Sequence, residues 1–165
     1  MAIDKLLSKS QTTNLSKKEF KGELYRSGQL YFLKPTTFMN LSGESVEAVK
    51  NYFKIENVIV IHDEIELPIG ALRFKKGGGH AGHNGLRSID KHIGADYYRA
   101  RVGIGKPEHK AQIADYCLSD FTKSEREIIE EILELAADAV LELTKGDLAA
   151  VSSKFTRNPK SEKEQ

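Results

Sequence analysis

The sequence predicts an α/β fold: a single domain built on a twisted mixed sheet flanked by helices. Three observations predict it. Residues 58–61 are a continuous run of β-branched apolar side chains, which suits a parallel-sheet strand buried on both faces. Ala100, Val102 and Ile104 alternate with Arg99, Arg101 and Gly103, which suits a half-buried strand. Around these lie apolar stripes of helical period, the strongest running from Ile128 through Ile129, Ile132, Leu135, Ala136 and Ala139 to Leu143. Strands alternating with helices define this class.

In chain order, Ile3, Leu6 and Leu7 form a short helical stripe, and residues 8–18 are polar and read as loop. Residues 24–26 and 30–33 are short strands joined around Ser27 and Gly28 as a hairpin. Pro35 breaks the second of them. Asn40 or Ser42 can cap a helix whose apolar positions are Val46, Val49 and Phe53. After the strand at 58–61, LPIG at 67–70 is a turn and 71–74 a short strand. A glycine cluster follows, then a helix over about 84–92. Thr122 and Glu125 form a capping box for the long apolar-striped helix. Gly146 ends that helix, and Asp147 caps a last short one. Residues 158–165 read as a polar, disordered tail.

Composition narrows the class of protein. Of 165 residues, 39% are hydrophobic and 30% charged, which excludes a disordered chain. No apolar run approaches the roughly 18–20 residues of a membrane span. Asp4 and Lys5 stand where a signal peptide would need an apolar stretch, so a cytoplasmic setting is expected. The single cysteine, Cys117, excludes a disulfide framework and reads as a small buried apolar residue. Net charge is only +1, but its distribution is uneven. Residues 73–110 hold nine basic against three acidic side chains, and residues 120–150 hold three against nine. The basic segment fits an anionic partner such as nucleic acid, and the acidic one reads as the solvated face of a helix.

Candidate chemistry gathers in the middle of the chain. Nine of the thirteen glycines lie between Gly70 and Gly105. Gly77, Gly79 and Gly82 satisfy G-x-G-x-x-G formally, a weak cue to a dinucleotide; bare backbone before a helix is in any case suited to an anion. Asp63 follows the buried strand, where α/β proteins place their chemistry. It reads either as the carboxylate that orients a histidine base or as a turn or cap residue. Asn40 and Asn84 offer a donor and an acceptor together, useful for a substrate amide, a water or an oxyanion; taken alone, each more often caps a helix. His80 and His83 have no third ligand at metal spacing, so no metal or other cofactor is expected. His92 and His109 read as surface residues.

Four ordered segments together resemble the bacterial-type peptidyl-tRNA hydrolase family: LKPTTFMNLSG at 33–43, VIHDE at 60–64 with LPIG at 67–70, GGGHAGHNG at 77–85 with LRSI, and RARVGIGKP at 99–107. The likeness continues through DYCLS at 115–119 and covers about residues 1–150, so that residues 1–157 form the hydrolase-like domain. It implies a metal-free enzyme that cleaves the ester joining a peptide to the terminal ribose of tRNA. It implies that Asp63 orients the histidine base and that Asn84 positions the attacking water. It further implies that Asn40, Phe38 and His83 belong to the peptide-binding pocket, and that Lys75 and Arg101 hold tRNA phosphates. The partner implied is tRNA carrying a peptide, met by a monomer. The segment at 1–7 matches the helix just after the family's first strand and catalytic histidine. The resemblance therefore implies a chain short by roughly twenty family residues at its front, the first strand, one active-site asparagine and the catalytic histidine among them. His62, next to Asp63 on a strand, is expected to point the other way. The alternative is a non-catalytic RNA-binding relative that kept the basic surface.

Overall fold

A computed structural model describes residues 2–106 and 121–159. The α/β class holds, but the strands divide between two three-stranded sheets rather than joining one. The described residues fold as two compact units, 3–58 with 76–98, and 59–75 with 99–106 and 121–159.

The first unit opens with α1 (Ala2–Ser8), whose Leu6 is buried. The stretch expected to be loop contains a two-residue strand, β1 (Thr13–Asn14), and a 3-10 turn (Lys18–Phe20). Neither carries a periodic apolar pattern; β1 exists because β2 supplies its hydrogen-bonding partner. The hairpin forms as expected, β2 (Gly22–Ser27) against β3 (Leu30–Pro35), with Ser27 paired to Leu30 and Gly28 in the left-handed region at φ 59°. Phe20, Leu24 and Val49 form a buried cluster beneath α2 (Ser42–Phe53). Gly22 lies so close to β3 and α2 that a Cβ there would meet the Lys34 carbonyl at 2.7 Å.

Two cap assignments change. The N-cap of α2 is Leu41, without a side-chain bond, because a 3-10 turn (Met39–Leu41) feeds straight into the helix. Asn40 and Ser42 are therefore not its cap. For α3 (Asn84–Ile93) the cap is His83, and Asn84 is the first helical residue. His92 is half-buried rather than a surface residue: its Nδ1 lies 2.8 Å from the Ser88 carbonyl oxygen.

The second unit is built on β4 (Ile59–Glu64), β5 (Leu72–Lys76) and β6 (Tyr98–Gly103), in the order β4-β6-β5. The Tyr98 N–H donates to Val58 and the Ile104 N–H to Glu64, a constant offset, so β6 runs parallel to β4. The Gly103 N–H donates to Ala71 and the Gly77 N–H to Tyr97, a constant sum, so β5 is antiparallel to β6. The sheet is mixed, as expected. Val58, Ile59, Val60 and Ile61 are half-buried instead of fully buried, because β4 is the outer strand of this order. The central strand β6 is more deeply buried than its alternation implies, and Arg99 is wholly buried at 0% exposure.

Leu72, Val102 and Ile104 pack with Ile129, Ile132 and Leu133 of α4 (Lys123–Leu143). The capping box at Thr122 and Glu125 is formed in full. Ile128 is an exception to the expected stripe at 39% exposure. Asp147 caps α5 (Leu148–Phe155) through the Ala149 N–H at 2.9 Å. Asn158, expected in a disordered tail, is held in place: Arg157 exchanges both backbone bonds with Leu72, and Arg73 donates to the Arg157 carbonyl and to the Asn158 side chain. Cys117, His109, the 115–119 segment and residues 160–165 lie outside the described residues.

Candidate functional site

Two groups of sequence-predicted residues are placed by separate elements, one in each unit. In the first unit β3 ends at Pro35, and the chain turns through Phe38 into the 3-10 turn that carries Asn40. The Leu41 N–H donates to the Phe38 carbonyl at 2.8 Å, which closes that turn. Phe38 is 81% exposed and Asn40 is exposed. The Phe38 ring therefore takes no part in the core of its unit.

The turn is held against α3 by close backbone packing. The Gly43 N–H donates to the buried Ser88 Oγ at 2.8 Å. A Cβ on Gly43 would lie 2.1 Å from the Ser88 carbonyl oxygen, so only glycine fits there. Asn40 and the start of α3 therefore share one rigid support. The glycine loop reaches α3 through residues 77–83. His80 Nδ1 accepts from the Gly82 N–H at 3.0 Å, and His83 Nδ1 accepts from the Leu86 N–H at 3.1 Å. Both rings thus use Nδ1 as an acceptor, which leaves the N–H of a neutral ring on Nε2. Gly77 and Gly82 take left-handed φ of 72° and 80°, and Ala81 does so at 48°. The G-x-G-x-x-G spacing here serves a turn that ends in a histidine cap.

In the second unit, strand alternation separates the two acids of the HDE segment. Ile61 packs towards the core under α4, and Asp63 shares its parity and emerges into solvent. His62 is buried and Glu64 half-buried on the opposite parity. The expectation that His62 and Asp63 diverge is met.

Glu64 is the anchor of a cation cluster. Its Oε1 accepts from Arg101 Nη2 at 2.9 Å and from Arg101 Nε at 3.3 Å. The two side chains are only 22% and 13% exposed, Arg101 and Glu64 respectively. Lys75 on β5 and Arg99 on β6 lie within electrostatic reach. Burial holds the Lys75 ammonium below the usual lysine range; the neighbouring Arg101 and then Arg99 push the same way, against the pull of Glu64. Lys75 and Arg101, predicted together, are brought together. Asp63 stands on the other parity of β4 from Glu64.

Sequence reasoning passed over Glu64 and Arg99. Period-two parity was the available signal: 64 on β4, 75 on β5 and 99 and 101 on β6 alternate with the positions that supply Ile61, Leu72, Phe74 and Val102 to the core. Among the described residues no group of His, Cys, Asp and Glu is arranged to hold a metal ion. No helix among them is long and apolar enough to cross a membrane.

Comparison with known proteins decides the family. The family model described as peptidyl-tRNA hydrolase matches residues 1–164. The chain belongs to the peptidyl-tRNA hydrolase family. It is 54% identical over 156 residues to a peptidyl-tRNA hydrolase of Sulfurovum sp. (strain NBC37-1), covering 93% of this chain and 82% of that protein. It is 50% identical to a peptidyl-tRNA hydrolase of Sulfurimonas denitrificans, over 94% of this chain and 84% of the relative. The crystal structure of peptidyl-tRNA hydrolase from Acinetobacter baumannii at 1.00 Å superposes with a TM-score of 0.86 at 30% identity, over 94% of this chain and 82% of that one. A peptidyl-tRNA hydrolase complex with N-propanol gives 0.88 at 30% identity, over 96% of this chain and 85% of that one. The resemblance, the α/β class and the reading as an enzyme are borne out, and nothing in these comparisons favours a non-catalytic relative.

Proposed function

We propose that the protein hydrolyses the ester between a peptide and the terminal ribose of tRNA. The observation that carries this reading is the pairing of Lys75 with Arg101 beside Glu64, in a chain of this family. Lys75 and Arg101 repel each other across the cluster, and a phosphate between them would relieve that repulsion. Lys75 and Arg101 are the residues assigned to tRNA phosphates.

The remaining roles follow from chemistry and position. A base takes a proton from water, and the hydroxide attacks the ester carbonyl. The tetrahedral oxyanion then collapses and expels the ribose oxygen, which takes up a proton. Asp63, exposed on β4, is assigned to orient and charge-stabilise the family's histidine base, for which no histidine of this sequence is assigned. Asn84, exposed at the first turn of α3, is assigned to the attacking water, with His83 supporting the pocket from the cap. Asn40 and Phe38, exposed on the turn held against that helix, are assigned to the peptide. The reading needs no metal or other cofactor, and it places a monomer in the cytoplasm.

The test is release of the blocked amino acid from N-acetyl-aminoacyl-tRNA by the parent and by Asp63→Asn. The substitution is expected to cut turnover by about 10²–10⁴-fold and leave tRNA affinity within twofold. Turnover that survives Asp63→Asn would remove that residue from the mechanism. A folded parent that binds tRNA and releases nothing would show that no histidine of this sequence serves as the base, whereas a folded parent that neither binds tRNA nor releases the amino acid would defeat the hydrolytic reading.

A further inference from the structure

Among the residues that the proposed reaction leaves without a part, Glu64 has the most specific geometry. A guanidinium offers two edges to an anion. The side edge is Nε with Nη2, and the end edge is Nη1 with Nη2. The single oxygen Oε1 of Glu64 takes the side edge of Arg101, at 3.3 Å from Nε and 2.9 Å from Nη2. Both side chains are mostly buried, so this arrangement is fixed rather than a flickering surface pair. The end edge keeps two parallel N–H groups, the set that meets a phosphate bidentately. Lys75 lies alongside, with no carboxylate at ion-pair distance among the described residues.

We infer that Glu64 is a positioning residue for tRNA binding, gripping Arg101 by its side edge so that its end edge meets a phosphate. The inference rests on the reading of Arg101 as a phosphate-binding residue. It opposes the simplest electrostatic expectation. A carboxylate beside a phosphate site should repel the ligand, so removing its charge should tighten binding. If Glu64 works through Arg101, removing its charge loosens binding instead, because the guanidinium loses its fixed direction.

The sign of the effect is the test. Deacylated tRNA is titrated against the parent, Glu64→Gln, Arg101→Ala and the double variant at one salt concentration, with thermal unfolding followed for each. Glu64→Gln is expected to weaken binding roughly three- to tenfold although it adds a net positive charge. In the Arg101→Ala background the same change should cause no further loss. A salt series then follows: the slope of Glu64→Gln should fall toward that of Arg101→Ala, by about 0.7–0.9 for one lost phosphate contact. A mere loss of folded protein would not move that slope.

Tighter binding by Glu64→Gln in both backgrounds would overturn the inference and leave Glu64 as an opponent of the phosphate. Parent-like binding by Arg101→Ala would instead overturn the phosphate reading itself, and the positioning role with it. Glu64→Asp covers the case of a Gln variant that does not fold. It keeps the charge but withdraws the oxygen by one methylene, so it should also weaken binding. Parent-like affinity in Glu64→Asp would overturn the inference.

Discussion

Lys75 sits half-buried on β5 with Arg101 and Arg99 as its charged neighbours, and its ammonium titrates below the ordinary lysine range. In the unfolded chain it returns to the ordinary value. Between the two values the folded state binds fewer protons, so stability rises with pH across that window. Below the window, neutral pH included, the charged side chain costs stability. Lys75→Met should therefore raise Tm, by about one or two degrees, while it weakens tRNA binding. Differential scanning calorimetry beside a binding titration checks both; a lower Tm would show that the side chain stabilises the fold. Affinity for tRNA should also decline with alkali sooner than for an ordinary lysine, and Lys75→Arg should abolish that early limb. Asp63 drew attention in the sequence because it follows an apolar strand, and Lys75 through the resemblance and the local excess of basic residues. The Glu64–Arg101 pair was not. It spans 37 residues and depends on which strands neighbour each other, and local pattern does not encode that.

The junction of α2 with α3 depends closely on one residue. Gly43→Ala would drive a Cβ to 2.1 Å from the Ser88 carbonyl oxygen and 2.5 Å from its carbon, both backbone atoms that cannot swing aside. The helices would have to separate, at a cost of at least about 2–3 kcal/mol. Chemical denaturation of Gly43→Ala should show a clear fall in midpoint, and an unchanged midpoint would show that the junction is plastic. Ser88→Ala removes the partner of the buried Gly43 N–H and should cost about 1–3 kcal/mol by the same measurement. At the start of α3, His83→Ala removes the acceptor for the Leu86 N–H and should cost about 1 kcal/mol, with His83→Asn recovering most of it. That start was legible from its glycine-rich approach, but its cap was not, since histidine ranks low among capping residues. The helix at 42–53 was also legible from its apolar spacing, while its entry through a 3-10 turn has no distinct sequence signature.

Across the whole molecule, the basic segment at 73–110 is less available to an anion than its count implies. Arg73 holds the Arg157 carbonyl and Asn158, Arg99 is fully buried, and Lys106 pairs with Glu66 at 3.1 Å. Composition shows the excess but not its long-range partners, so the number of cations free to meet RNA was beyond the sequence. The acidic half reads more simply. Glu127 and Glu131 are exposed on α4, as the solvated side of an amphipathic helix should be. These placements make a quantitative expectation for salt. Each phosphate neutralised contributes about 0.7–0.9 to the fall of log affinity against log salt. Lys75→Ala with Arg101→Ala should therefore flatten the slope by about 1.4–1.8. Glu127→Gln with Glu131→Gln should leave both slope and Tm nearly unchanged, because charges removed from a solvated face neither form nor break a phosphate contact. Titrations of tRNA at four or five salt concentrations distinguish the cases. An unchanged slope in the Lys75/Arg101 double variant would mean that tRNA meets other cations, and Arg87 and Lys91, both exposed on α3, would then be the place to look.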